Sequence, residues 1–251
     1  MSEAIERPDP VSAPEPDPAT GPDRPRPGAG PPGRPSLGWT EIGIAVVAWF
    51  VFSVAAILVT GLPGPQGQNT LPVLAGSALA FLLAVGIALV VRVRWLPAVG
   101  LRATTWRWLL AGAGVGVLMR ALAFGLVLGY QAITGDLSDP QDFLVGTAAA
   151  GGIGFVLLLL LGAGLTPLGE ELFFRGVLFG GLRRYGPVIA VIVSSLLFGL
   201  AHGVNVVMPV AIVLGVLNAV LYERSGSIWP PVVAHGVHNA LGFTFAALVM
   251  S

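Results

Sequence analysis

No cysteine occurs in the 251 residues, and all thirteen basic residues are arginine. Without cysteine, disulfides, thiol nucleophiles and thiolate zinc sites are excluded. The missing lysine, alongside abundant Ala, Gly, Val and Pro, reads as compositional bias rather than function. Charge is scarce as well: 10% of residues carry one, against about 25% in an ordinary soluble domain. With 55% hydrophobic residues and a mean hydropathy of +0.83, that scarcity predicts a polytopic membrane protein whose first partner is the lipid bilayer. The formal net charge is zero, so bulk charge points to no nucleic-acid partner.

Residues 1–37 are dominated by proline, glycine and small polar or charged residues. Such a segment buries too little apolar surface to offset its ordering entropy, and a disordered tail is expected. It has no apolar core flanked by a cleavage site, so it does not read as a signal peptide. Apolar stretches of spanning length follow, where about 20 residues are needed. They run from about Glu41 to Thr60, Leu71 to Val91, Trp108 to Ile133, and from near Thr147 through Leu165 into a pair of glutamates. Val188 to Ala201, Val207 to Leu221 and Val232 to Met250 complete the set, the first two of these being short. The expected fold is therefore all-α: a transmembrane bundle of about seven helices behind a Pro-rich N-terminal tail. Residues 38–140 form its N-terminal helices, and 141–251 form the part that carries the chemistry.

The loop after the first span is uncharged. The next holds Arg92, Arg94, Arg102 and Arg107, the next Asp136, Asp139 and Asp142, and the next Arg183 and Arg184. This alternation predicts a cytoplasmic N-terminus and an outward C-terminus in the cell membrane. Trp39, Trp95, Trp106, Trp108 and Trp229 lie near span ends, as interfacial anchors do.

Few ionisable residues interrupt the spans: Arg120, Glu170, Glu171, Arg175 and the three histidines, His202, His235 and His238. A charge in hydrocarbon costs roughly 2.5–3.5 kcal/mol even on insertion scales, so each suggests function. Glu171 and Arg175 are spaced i, i+4 with the acid first, the favourable order for an ion pair. Glu170 has Phe174 at that spacing. Helical neighbours point about 100° apart, so the two carboxylates are expected to face different directions. Glu170 is left desolvated and unpaired, a candidate general base. The plainer account is that both glutamates pair with arginines, Arg120 included, to lock helices together.

Gly186 marks a turn between two helices, with Glu170 and His202 equally far from it in sequence. Both lie about 24 Å from the turn, level across the hairpin, where a carboxylate and an imidazole can share a water. Phe198, one turn before His202, walls that space or simply packs. His235 and Asn239 form another i, i+4 pair after Pro230 and Pro231, which suit a helix start. They present donors suited to an oxyanion, or to interhelical hydrogen bonding. His238 is expected to face elsewhere. Glu170, His202 and His235 also form a His₂Glu set that zinc accepts; no HExxH occurs, and spacing alone leaves a metal open.

Glu170-Glu171-x-x-x-Arg175, Phe198-x-x-x-His202 and His235-x-x-x-Asn239 together resemble the three motifs of the CPBP intramembrane proteases. These are also called the Abi family and are similar to the type II CAAX prenyl endopeptidases. The resemblance covers about residues 145–245. Pro167 before the glutamates, Phe174-Arg175-Gly176 after them and the run from Glu223 to Pro230 ahead of His235 agree with it. It implies a glutamate protease needing no metal or other cofactor, acting on a membrane-associated peptide or protein C-terminus. Glu170 would activate water with His202, His235 and Asn239 would hold the oxyanion, and Glu171, Arg175 and Phe198 would support the geometry. Other readings are a bacteriocin-immunity or regulatory scaffold without catalysis, a zinc protease and a proton-coupled transporter. One tension accompanies any shared site. Glu170 lies far up its helix from the Arg183-Arg184 turn, whereas His235 lies a few residues into its own. The helices must then differ in depth, or the fourth must kink near Pro167.

Overall fold

The computed structural model describes residues 36–64, 68–149 and 151–250. The expected tail lies outside the described residues up to residue 35. Among the described residues the chain is helical, with no strand. The helices are α1 (Trp39–Thr60), α2 (Thr70–Val93), α3 (Trp106–Thr134), α4 (Asp142–Ala149), α5 (Gly152–Tyr185), α6 (Pro187–Ala201), α7 (Val207–Ser225) and α8 (Trp229–Met250).

Six of them are long and apolar enough to cross a membrane; α6, at 15 residues, is shorter. The chain is a multi-pass membrane protein. Its outward faces are rows of exposed apolar side chains, such as Val47, Phe50, Leu58 and Val59 on α1 and Phe245 and Leu248 on α8. In water these faces would be a liability; in lipid they are the solvated surface. The expected fourth span is corrected at its start. Gly151 and Gly152 both hold positive φ (64° and 57°), so α4 ends and α5 begins afresh rather than running on from Thr147.

The core is built around α5. Trp49 of α1, Phe81 of α2, Phe173 and Phe174 of α5 and Phe198 of α6 form a chain of rings with centroids 5.0–5.9 Å apart. Such offset and edge-on contacts add about 0.5–1.5 kcal/mol each beyond area burial. They fix α5 against three neighbours just below the glutamates.

The tension over depth resolves in the segment joining α2 to α3. Residues Leu96–Val99 form a 3₁₀ turn, and Ala98 and Val99 are fully buried. This segment dips into the bundle and lies against α5 at Gly176, where any β-carbon would stand 2.8 Å from Val99. The start of α8 hangs on it: Ile228 donates to the Gly100 carbonyl at 2.8 Å, and the Ser227 hydroxyl to that of Arg102 at 2.9 Å. Helix α8 therefore begins level with Gly176, about 13 Å above the end of α5. That offset brings His235 to the height of Glu170.

Candidate active site

Local structure around the glutamates follows from Pro167. Helix α5 widens into π-helical turns at Leu159–Leu165 and again at Leu172–Phe179, with Thr166–Glu171 regular between them. At the first widening the Thr166 N–H bonds to Leu161 rather than to Gly162. The next donor within reach of Gly162 would be residue 167, and proline has no N–H. The Gly162 carbonyl is thus orphaned inside the bundle, where an unsatisfied backbone group costs about 1–3 kcal/mol. Asn239 of α8 satisfies it, its side-chain nitrogen donating at 2.8 Å. The proline thereby sets the position of an amide on another helix.

Glu171 is fully buried at the meeting point of three helices. Its carboxylate lies 3.1 Å from Arg175 Nε, receives the Asn218 amide of α7 at 2.9 Å and lies 2.9 Å from His235 Nδ1. A carboxylate only accepts, so Nδ1 carries the proton in that contact. The Arg175 guanidinium, also fully buried, stacks over the Phe198 ring at 4.6 Å, a cation–π contact strengthened by exclusion of water.

Glu170 points the other way, into a cavity of about 370 Å³. Glu170, His202, His235, Asn239 and Phe198 all line this cavity, with Phe174 beside them. The two carboxylates do face apart, yet they flank one ring: His235 Nε2 stands 3.7 Å from Glu170 Oε2. His202 donates from Nδ1 to the Phe198 carbonyl at 2.9 Å, because a carbonyl offers no proton. In the neutral ring its Nε2 is then the acceptor. Asn205 holds the turn that follows, donating to the His202 carbonyl and receiving the Val207 N–H. Among the described residues no group of three His, Asp or Glu side chains is spaced to hold a metal ion.

The expectation that His238 faces elsewhere is corrected, since it is buried in the same cavity wall. Arg120 and Asp139 line the cavity too, and burial pushes the Asp139 carboxyl up from the ordinary carboxylate range. Asn218 carries no charge and no motif, and its signal in the sequence is that of an asparagine within an apolar span.

Residues 152–241 match the family described as Type II CAAX prenyl endopeptidase Rce1-like. The chain is 31% identical over 84 residues to the "Putative membrane peptidase YdiL" of Bacillus subtilis (strain 168), covering 33% of this chain and 34% of that protein. It is 34% identical over 91 residues to the "Membrane-embedded CAAX protease MroQ" of Staphylococcus aureus (strain USA300), covering 34% and 37%. The matched stretch thus spans about a third of each of these relatives. Similarity to an "Uncharacterized 24.3 kDa protein" of Escherichia coli is broader, 32% over 214 residues, covering 81% of this chain and 91% of that one. No solved structure matches the chain. The matched span opens with α5 and closes two residues after Asn239, so it takes in every side chain of the three motifs, and over residues 152–241 the chain is similar to the Rce1-like type II CAAX prenyl endopeptidases.

Proposed function

We propose that this protein is an intramembrane glutamate endopeptidase of the cell membrane, its N-terminus in the cytoplasm. It hydrolyses a peptide bond of a membrane-associated peptide or protein C-terminus, in processing of the CAAX or bacteriocin type. The observation that carries the reading is the placing of Glu170, His202, His235 and Asn239 around one cavity inside spanning helices. The relatives named as a membrane peptidase and a membrane-embedded CAAX protease support it.

The chemistry follows from which atoms accept and which donate. Glu170 and His202 Nε2 are the acceptors facing the cavity, so a water between them is held by both of its protons. Glu170 takes one proton as the water oxygen adds to the scissile carbonyl carbon. Negative charge moves to the carbonyl oxygen. The Asn239 amide, with one N–H spent on Gly162, has a second to offer that oxygen, and His235 Nε2 joins it when protonated. Collapse of the intermediate breaks the C–N bond, and Glu170 returns its proton to the departing amine. Glu171 touches no reacting atom; it orients His235 and balances Arg175. No step calls on a metal, and turnover is expected to survive chelators.

The test compares wild-type cells with cells carrying Glu170→Gln, which keeps the shape and removes the base. Membrane peptides that change between the two by peptidomics identify the substrate. Purified protein should then cut that peptide, and Glu170→Gln should lower kcat at least about a thousandfold. Full function in the Glu170→Gln strain would sink the enzyme reading and leave a scaffold.

A further inference from the structure

Away from the hydrolytic cavity, a second hollow opens where α1 begins and α2 and α5 finish. Its volume is about 470 Å³, and residues 36–41, Arg92 and Arg184 line it. Small-ligand sites are of this size. Two guanidinium groups border the space, and their charges are not fully balanced. Glu41 is 1% exposed; one carboxylate oxygen pairs with Arg92 at 3.3 Å and the other receives the Gly38 N–H at 2.8 Å. Of the two adjacent arginines that close α5, Arg183 pairs with Glu223 at 2.6 Å. Arg184 is in no ion pair among the described residues. Two cations and one acid leave the hollow with a net positive charge.

Arg184 is held in place by aromatic rings. Its guanidinium stacks over Tyr185 at 5.2 Å and over Trp39 at 5.9 Å. The Trp39 indole N–H donates to the Tyr185 hydroxyl at 2.8 Å, which ties the two rings together. A long side chain loses rotamer freedom when framed in this way, so the frame fixes where the charge lies. At Gly38 a β-carbon would stand 3.4 Å from Arg184 Nη1 and 3.5 Å from Glu41 Oε2. Arg184, Glu41 and, through Glu41, Arg92 are thereby joined around one glycine.

The surroundings indicate what kind of anion fits. Trp39 and Tyr185 are exposed, and exposed Trp and Tyr rings sit at headgroup level. Beyond Trp39 on α1, the exposed Val46, Val47 and Phe50 offer an apolar face to acyl chains. Phosphate oxygens accept from guanidinium forks. A headgroup with no cation of its own matches the uncompensated charge.

We infer that the hollow between α1, α2 and α5 binds the phosphate of an anionic phospholipid of the phosphatidylglycerol kind, with Arg184 as its main contact and Arg92 beside it. The bound headgroup bridges the start of α1 to the end of α5 and so stabilises the fold. Neither the site nor its test depends on the hydrolytic reading.

The experiment uses the full chain purified in detergent and titrated with dioleoyl phosphatidylglycerol or dioleoyl phosphatidylcholine. Native mass spectrometry reads the affinity of the first lipid bound. Phosphatidylglycerol is expected to bind at least about fivefold tighter than phosphatidylcholine, and to raise Tm further at equal concentration. Arg184→Gln should bring the affinity ratio close to one. Arg184→Lys keeps the charge without the planar fork and should retain part of the ratio. Trp39→Leu removes one side of the frame and should narrow it. Arg107→Gln, exposed at the start of α3 and outside the hollow, should leave it unchanged. Equal affinities for the two lipids, a preference that survives Arg184→Gln, or an equal fall in Arg107→Gln would each overturn the site. Displacement of phosphatidylglycerol by excess inorganic phosphate would overturn the lipid assignment and mark a site for the free anion. If Arg184→Gln does not fold, Arg184→Lys and Trp39→Leu decide.

Discussion

Glu170 and Glu171 are adjacent in the chain and opposite in circumstance. Glu171 is held by Arg175, Asn218 and His235, all buried. Replacing it with glutamine keeps its size but leaves the Arg175 guanidinium without its counter-ion. Breaking one side of a buried pair costs about 3–5 kcal/mol, so Glu171→Gln should show a marked loss of thermal stability in detergent. Glu170→Gln should show none, because that carboxylate has no close partner among the described residues beyond the 3.7 Å approach of His235. Asn218→Ala removes one donor from the clamp and should cost about 1–3 kcal/mol. Equal melting temperatures for Glu170→Gln and Glu171→Gln would contradict this division.

At the scale of elements, the informative one is α5. Its length, 34 residues, exceeds what a bilayer requires. The surplus is used to place a proline and two widened turns around the glutamates. Pro167→Ala would return an N–H that competes with Asn239 for the Gly162 carbonyl. Stability should hold or rise. Activity should fall on the order of a hundredfold, as expected when a group in the site shifts by about an ångström. Unchanged turnover by Pro167→Ala would show that the amide does not depend on this carbonyl. The segment that dips between α2 and α3 makes a second prediction. Gly176→Val drives a side chain into Val99 and should lift the start of α8, lowering stability by about 1–3 kcal/mol and moving His235 out of register with Glu170. A normal melting curve with normal activity would refute it.

At the scale of the whole molecule, the topology expected from loop charge is directly testable. The chain has no cysteine, so a single one introduced by Ser138→Cys or Ser225→Cys is labelled against no background. An impermeant maleimide on intact cells should reach position 138 and not 225; the reverse would invert the orientation. The helical bundle and the motif residues were legible in the sequence because polar atoms in an apolar run stand out. Other features were hidden for physical reasons. The break at Gly151-Gly152 lies within small apolar residues, where hydropathy is blind to backbone conformation. A helical wheel turns His238 aside because it treats a site as a line, whereas this cavity is wide enough to take in His235, His238 and Asn239 together. The depth offset of α8 depends on a loop folding inward, which no local periodicity records.

The buried clamp also bears on how such a protein can change over evolutionary time. Under the proposed function, a descendant that no longer cuts anything is free to drift at position 170, since that acid has no close partner among the described residues beyond His235. Position 171 is not free in this way, because its loss weakens the packing of three helices whether or not anything is cut. Retired copies should therefore be recognisable by a surviving second acid beside a vanished first.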